Sequence, residues 1–175
     1  MTILGAIFAG GAARRFGSDK AEALIDGRPM IEHVAERLAG QCDAIVLVGR
    51  QRAGIETAAD APVPGLGPLG ALAGALLHAQ AAGHELVLTS GCDLPDLPRD
   101  LVHRLAPAPA VIRGQPLLGL WEVARAPALV AWLEQGGDRA MRSWIAQTGA
   151  RTVALDTLPS NINTQDDLAA FLRAT

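Results

Sequence analysis

Short, almost uninterrupted apolar runs alternate along this chain with longer segments in which apolar residues recur at helical spacing. Residues 2–8, 44–48 and 86–89 form such runs, which are typical of strands buried on both faces of a parallel sheet. Shorter strands are predicted at residues 110–112, 117–121 and 152–155. Helices are predicted at residues 29–39, 69–82, 100–105, 128–135, 139–147 and 165–173.

Strands that alternate with helices in this way predict an α/β fold. We expect three layers, α/β/α, around a mostly parallel, Rossmann-like sheet. A chain of 175 residues fits one domain, which we assign to residues 1–175. In open sheets of this kind ligands bind beyond the carboxyl ends of the strands. The connections after Phe8, Val48 and Thr89 are therefore the first places to look for chemistry.

Composition and charge exclude several classes of function. The chain is 50% hydrophobic and 19% charged, which is ordinary for a globular protein. A net charge of −3 argues against a nucleic-acid partner, since phosphate backbones are bound by clustered cations. The apolar stretch at residues 69–82 is shorter than the roughly 20 residues that a membrane span needs, so no membrane association is expected. No secretory leader is recognisable, and the two cysteines, Cys42 and Cys92, have no metal-type spacing, so we expect a cytoplasmic protein with free thiols.

A glycine-rich segment follows the first strand directly. Gly10 and Gly11 allow successive backbone N–H groups to converge on an anion, and Gly17 permits close approach of a ligand. Arg15 and Lys20 place cations within this loop and at its exit, as a triphosphate requires. The order of residues excludes a Walker A loop, in which Lys and Ser or Thr follow the last glycine directly. The alternative is a glycine-rich turn with solvated arginines.

Asp93 stands just beyond the third predicted strand, where it would face the glycine-rich loop. Mg²⁺ in nucleotide sites takes one or two carboxylates together with substrate phosphates and water, so Asp93 is the candidate metal ligand. The alternative is a helix cap. Asp96 could be a second carboxylate, but a turn or cap is the favoured interpretation for it. Cys92 lacks a base partner and is interpreted as a small buried residue.

The segment at residues 62–70 contains glycines and prolines in a formal G-x-G-x-x-G pattern. A dinucleotide fingerprint should follow a strand directly, whereas Pro62, Pro64 and Pro68 surround or interrupt this one. We therefore predict a rigid loop whose backbone frames a flat ligand. Turn geometry and close helix packing are the alternative explanation for its glycines.

Four motifs together resemble one family. They are FAGGAARRFGSDK followed by GRPMIEHV, PGLGPLGAL at residues 64–72, CDLP at 92–95 and NINTQDDL at 161–168. The first is similar to the signature of nucleotidyltransferases, and the set is most similar to the molybdenum cofactor guanylyltransferases, the MobA-like branch. The resemblance covers most of the chain.

The resemblance implies transfer of GMP from GTP to molybdenum-molybdopterin, which yields molybdopterin guanine dinucleotide and pyrophosphate, with Mg²⁺ as cofactor. Arg15, Lys20 and Asp93 would be catalytic. The nucleotide would contact Phe8, Ala9, Gly10, Gly11, Gly17, Lys20, Asp60, Gly65, Gly67, Pro68, Leu69 and Asp93, and the pterin side would contact Arg139, Asn161 and Asn163. Asp60 could instead be a solvated loop residue, and Arg139 a solvated residue at a helix start. Thr164 is an expected helix N-cap, with Asp167 three residues on.

Alternatives remain within and beyond this class. They are a cytidylyltransferase for the same pterin, a sugar-1-phosphate nucleotidyltransferase and a non-catalytic nucleotide-binding module. Expected partners are the two substrates and, transiently, proteins of molybdenum insertion or molybdoenzyme maturation, with the chain a monomer or weak homo-oligomer. The sequence also departs from the family: Phe16 stands where methionine is common, Glu22 and Ala23 where leucines are, and Gly49-Arg50 where an asparagine often contacts the nucleotide.

Overall fold

The computed structural model describes residues 1–10 and 19–174. Its nine strands within those residues are, in chain order, β1 (Ile3–Phe8), β2 (Leu24–Ile25), β3 (Arg28–Pro29), β4 (Ala44–Val48), β5 (Glu56–Ala58), β6 (Leu86–Gly91), β7 (Ala110–Ile112), β8 (Gln115–Glu122) and β9 (Arg151–Val153). The α-helices of the same part of the chain are α1 (Met30–Ala39), α2 (Gly67–Ala81), α3 (Leu101–Leu105), α4 (Ala126–Glu134), α5 (Met141–Thr148) and α6 (Gln165–Ala174). Short 3₁₀ turns occupy Lys20–Glu22 and Val123–Arg125.

A seven-stranded sheet runs through the molecule in the order β5-β4-β1-β6-β8-β7-β9. Strands β5, β4, β1 and β6 are parallel, β8 is antiparallel to both β6 and β7, and β9 is parallel to β7. The predicted, mostly parallel α/β fold is therefore confirmed. The carboxyl ends of β4, β1 and β6 lie side by side, since Phe8 pairs with Val48 on one side and Gly91 on the other.

Two apolar cores lie on the two faces of this sheet. Alternate residues of β1 separate between them: Leu4 and Ala6 pack with α2, α4 and α5, whereas Ile3 and Ile7 pack with α1 and α3. This period of two is the expected consequence of strand geometry. A third, small cluster joins the β2–β3 hairpin to α6 through Ile25. The three-layer arrangement predicted from the sequence is thus confirmed.

Helix α2 lies directly beneath the loop that precedes it. A Cβ added at Gly74 would lie 2.0 Å from the carbonyl oxygen of Ala59, so only glycine permits this approach. The backbone N–H of Ala61 donates to the carbonyl of Gly70 at 3.0 Å. These contacts fix residues 59–61 against the helix and position the side chain of Asp60.

The predicted boundaries were wrong in several places. Helix α2 begins at Gly67, not after Pro68, because proline is accommodated in the first helical turn. Helix α4 likewise starts two residues earlier than predicted, with a proline in its first turn. The late strand is shifted to Arg151–Val153. Strands β2, β3 and β5 were missed, since each has only two or three residues and a mainly exposed surface.

No helix in the described parts of the chain combines the length and apolar character needed to cross a membrane.

Candidate active site

A pocket of about 360 Å³ lies over the carboxyl ends of β4, β1 and β6. It is lined by Phe8, Ala9, Gly10, Asp19, Lys20, Ala21, Arg50, Asp60, Gly65, Gly67, Pro68, Ala71, Gly91, Cys92, Asp93 and Leu117. Backbone hydrogen bonds hold its floor: Ala9 N donates to the Val48 carbonyl at 3.0 Å, and Cys92 N to the Phe8 carbonyl at 3.2 Å. The three connections that the sequence singled out therefore meet at one cavity.

An ion pair stands at the β6 side of the pocket. The Nζ of Lys20 lies 2.8 Å from Oδ2 of Asp93, and the two side chains are only 20% and 17% exposed. The same Nζ donates to Oδ1 of Asn163 at 3.3 Å. Lys20 is also the only lysine of the sequence. One amino group thus joins three segments that are distant along the chain.

The carboxylate of Asp93 folds back over Gly91. A Cβ added at Gly91 would meet Oδ1 of Asp93 at 2.4 Å, so the glycine makes room for the carboxylate in this position. No group of three or more His, Cys, Asp or Glu side chains that could hold a metal occurs among residues 1–10 and 19–174. One carboxylate on the pocket wall fits Mg²⁺, which takes most of its ligands from substrate phosphates and water.

The segment that carries the two asparagines is tied to the loop after β6. Ile162 N donates to the carbonyl of Asp93 at 3.0 Å, and Asp96 accepts from both N and Oγ of Ser160, at 2.8 and 2.7 Å. Both oxygens of Asp96 are therefore engaged by Ser160 in a long-range contact, and Asp96 does not line the pocket. Asn163 Nδ2 in turn donates to Oδ1 of Asn161 at 2.8 Å.

The predicted cap of α6 is confirmed. Asp167 N donates to Oγ1 of Thr164 at 3.1 Å, and Oδ2 of Asp167 accepts from the N–H groups of Asn163 and Thr164 at 2.9 and 2.8 Å. The backbone hydrogen bond from Asn163 is the main cause that lowers the pKa of Asp167. The cap therefore also fixes the backbone of Asn163 beside Lys20.

Charged side chains form a chain of ion pairs on the β4 side. Arg50 binds Asp19 through both guanidinium Nη groups, with Nη1 2.7 Å from Oδ1. Arg52 binds Glu22, and its Nη2 lies 2.7 Å from Glu32 Oε1. The hydrogen bond with Arg50 is the largest cause that lowers the pKa of Asp19, and it raises that of Arg50 in return.

Cys92 lines the pocket beside Asp93 and is buried, as expected. Burial raises the pKa of its thiol to about 11, and the neighbouring Asp93 carboxylate adds to the shift. A protonated thiol is a poor nucleophile, which agrees with its interpretation as a packing residue.

Most predicted nucleotide contacts lie on the pocket wall. Those that do are Phe8, Ala9, Gly10, Lys20, Asp60, Gly65, Gly67, Pro68 and Asp93. The side chain of Leu69 is instead fully buried in the core, because α2 begins at Gly67 and turns it inward. Arg139 is exposed before α5 and does not line the pocket. Gly11, Arg15 and Gly17 lie outside the described residues.

Two charged residues of the wall, Asp19 and Arg50, were missed as site residues. Arg50 comes two residues after β4, in one of the three connections that were singled out. Its position alone was therefore a signal. The resemblance implies an asparagine in this connection, and the chain instead offers the guanidinium of Arg50.

Comparison with known proteins agrees with this geometry. A family model described as "MobA-like NTP transferase domain" matches residues 5–152. The molybdenum cofactor guanylyltransferase of Acidiphilium cryptum is 38% identical, over 94% of this chain and 91% of its own.

Two crystal structures share the fold. Molybdopterin-guanine dinucleotide biosynthesis protein A from Archaeoglobus fulgidus has a TM-score of 0.73 at 22% identity, and covers 98% of this chain and 97% of its own. Rv0371c from Mycobacterium tuberculosis, in complex with manganese, has a TM-score of 0.66 at 15% identity and complete coverage of both chains.

Proposed function

Because the chain belongs to the MobA-like NTP transferase family and is a nucleotidyltransferase, we propose that it transfers GMP from GTP to molybdenum-molybdopterin, with molybdopterin guanine dinucleotide and pyrophosphate as products. The observation that carries this proposal is that Lys20 and Asp93 pair on the wall of the pocket, where the amino group of Lys20 also binds Asn163. The name of the Acidiphilium cryptum relative supports both the nucleotide and the acceptor. We propose that residues 1–175 act as one domain, in the cytoplasm.

In the proposed reaction a phosphate oxygen of the pterin attacks the α-phosphorus of GTP. A new P–O bond forms to the pterin phosphate, and the bond between the α-phosphorus and the β-phosphate bridging oxygen breaks. The attacking oxygen is already anionic, so no general base is needed, and pyrophosphate leaves with the electron pair of the broken bond. Catalysis therefore depends on positioning and on neutralising negative charge.

Each part of the pocket has a role in this proposal. The backbone of Gly10, together with Gly11, Arg15 and Gly17 of the loop, would hold the triphosphate. The start of α2 at Gly67 would frame the base, with Asp60 beside it.

Lys20 neutralises charge at the phosphates, and Asn163 accepts a hydrogen bond from its amino group, as Asp93 does. Asn161 positions Asn163 through their mutual hydrogen bond and would face the acceptor. Arg139 stays a proposed acceptor contact on the sequence resemblance alone.

Asp93 would hold Mg²⁺, whose chemistry at this place is to neutralise the α-phosphate and the departing pyrophosphate. Lys20 would then release the carboxylate of Asp93 and turn to the phosphates. The ion pair thus keeps both groups in place before substrate arrives. When the pair opens, Asp93 becomes available to the metal and Lys20 to the phosphates at the same time.

Pyrophosphate release tests the proposal. Wild-type protein is incubated with Mg²⁺, the pterin acceptor and GTP, CTP or UTP in parallel. We expect release with GTP and the pterin only, and its loss in Asp93→Asn. Asp100→Asn is the matched control, because Asp100 is also paired with a cation, Arg104, but lies on the surface. Preference for CTP, or turnover with a sugar 1-phosphate in place of the pterin, would refute the proposal.

A further inference from the structure

Arg50 occupies a position from which it faces the pocket. It follows Gly49, which packs against the start of the glycine-rich loop so closely that a Cβ at Gly49 would lie 2.8 Å from Gly10 Cα. Gly49 also has a φ of +81°, which suits glycine alone and turns the chain at the end of β4. The side chain of Arg50 is 25% exposed and lies on the pocket wall.

The guanidinium is oriented mainly by the carboxylate of Asp19, while Glu22 Oε1 lies farther away, 3.8 Å from Nη2 of Arg50. Asp19 accepts from both Nη groups of Arg50, and its Oδ1 also accepts from Ala21 N at 3.2 Å, which caps the turn that carries Lys20. Asp19 is itself 45% exposed. If Arg50 moved to another anion, this carboxylate would regain water at little cost, because it stays solvated throughout.

A planar guanidinium that pairs with both oxygens of a carboxylate has the geometry that binds two oxygens of a phosphate. Asp19 lies next to Lys20 in sequence, so the anion that Arg50 now holds stands at the place where the phosphates are proposed to bind. The described pocket wall contains three carboxylates, Asp19, Asp60 and Asp93, and two cations, Lys20 and Arg50. Arg50 is therefore half of the positive charge available to a polyanion on that wall.

We propose that Arg50 is a further nucleotide-binding residue, which exchanges Asp19 for phosphate oxygens of the bound nucleoside triphosphate. This inference rests on the proposed function, in which a nucleotide occupies the pocket. Arg50 would then contact phosphate from the connection after β4, where the resembling family often has an asparagine that contacts the nucleotide. Specificity for the base is left to the residues around Asp60 and Gly67.

Binding of GTP with Mg²⁺ and of guanosine is measured for wild type, Arg50→Ala, Arg50→Lys and Arg52→Ala. Arg52 is the matched control, since it pairs with Glu22 and Glu32 at similar exposure but does not line the pocket. We expect Arg50→Ala to weaken GTP binding about ten- to a hundredfold, the range for a hydrogen bond to a charged group, and Arg50→Lys to lose less. Guanosine binding and the thermal midpoint should stay as in Arg52→Ala.

The inference is overturned if Arg50→Ala binds GTP as Arg52→Ala does, or if it loses guanosine as strongly as GTP, since the side chain would then face the base. A failure of the proposed function would give a different result from a failure of this inference. If the wild type prefers CTP, the guanylyl assignment falls, but the same comparison run with CTP and cytidine still decides the role of Arg50.

Discussion

Replacement of Lys20 by methionine removes the charge of the pocket's amino group and keeps most of its length. Lys20 Nζ makes two contacts, with Asp93 at 2.8 Å and Asn163 at 3.3 Å, and both ion-pair partners are mainly but not fully buried. The pocket is open to water, so Asp93 can rehydrate when its partner is removed. We therefore expect a small loss of folding stability, about 1 kcal/mol, as for a partly solvated ion pair.

The effect on turnover should be much larger than the effect on stability. Loss of one preorganised donor to a developing oxyanion costs about 10²–10³ in kcat, or roughly 2.7–4 kcal/mol. Single-turnover pyrophosphate release at saturating GTP, Mg²⁺ and acceptor measures this step, and urea unfolding measures the stability term separately. Arg104→Met is the control, since Arg104 forms an ion pair with Asp100 on the exposed surface of α3.

A decrease of less than about threefold in kcat for Lys20→Met would refute the reasoning, because a group that neutralises the transferred phosphoryl cannot be dispensable. The same conclusion would follow if the activity fell only in proportion to the unfolded fraction. A large decrease in both variants would show that the assay reports folding.

Three further predictions concern the surroundings of the pocket. Asp96→Asn should weaken the tie to Ser160 and raise KM for the acceptor severalfold with GTP affinity unchanged, and equal changes in both would contradict this. Since the pKa of Cys92 is raised to about 11, its alkylation by iodoacetamide should accelerate about tenfold per pH unit from pH 8 to 10, and a plateau near pH 9 would argue against it. Gly74→Ala should lower the free energy of unfolding by about 1–3 kcal/mol through overpacking, whereas Gly40→Ala, with no atom nearer than 3.8 Å, should change it little; equal values in urea unfolding would contradict the packing argument.

The central part of the site could be predicted from the sequence because parallel strands place their carboxyl ends at one edge. Buried runs identify β1, β4 and β6, and polar residues that directly follow these strands are expected at the same edge of the sheet. Lys20 and Asp93 were found in this way, although 73 positions separate them. The cap formed by Thr164 and Asp167 was predictable for a different reason. Two residues of these types three positions apart at a helix start can each accept a hydrogen bond from the other's backbone N–H, so the spacing alone predicts the contact.

Other features depend on contacts that no local pattern encodes. Arg50 reaches Asp19 because β4 and β1 are paired neighbours in the sheet. The sequence alone cannot distinguish an arginine in this position from one that is exposed to solvent. The resemblance implies a nucleotide contact for Leu69, but α2 begins at Gly67 and the side chain of Leu69 is buried in the core. Strand β5 has too few residues for a hydrophobic period and forms by pairing with β4.

The contact of Lys20 with Asn163 also has a consequence for synthesis on the ribosome. The first four parallel strands and Asp93 emerge before Asn163, which lies 143 positions after Lys20. At about 5–20 residues per second, the 70 residues from position 93 to position 163 take roughly 4–14 s to add. During that interval the nascent chain contains the sheet edge that carries Lys20 and Asp93, but not the side chain of Asn163. We therefore expect this contact of Lys20 to form late, when the segment before α6 docks onto that edge.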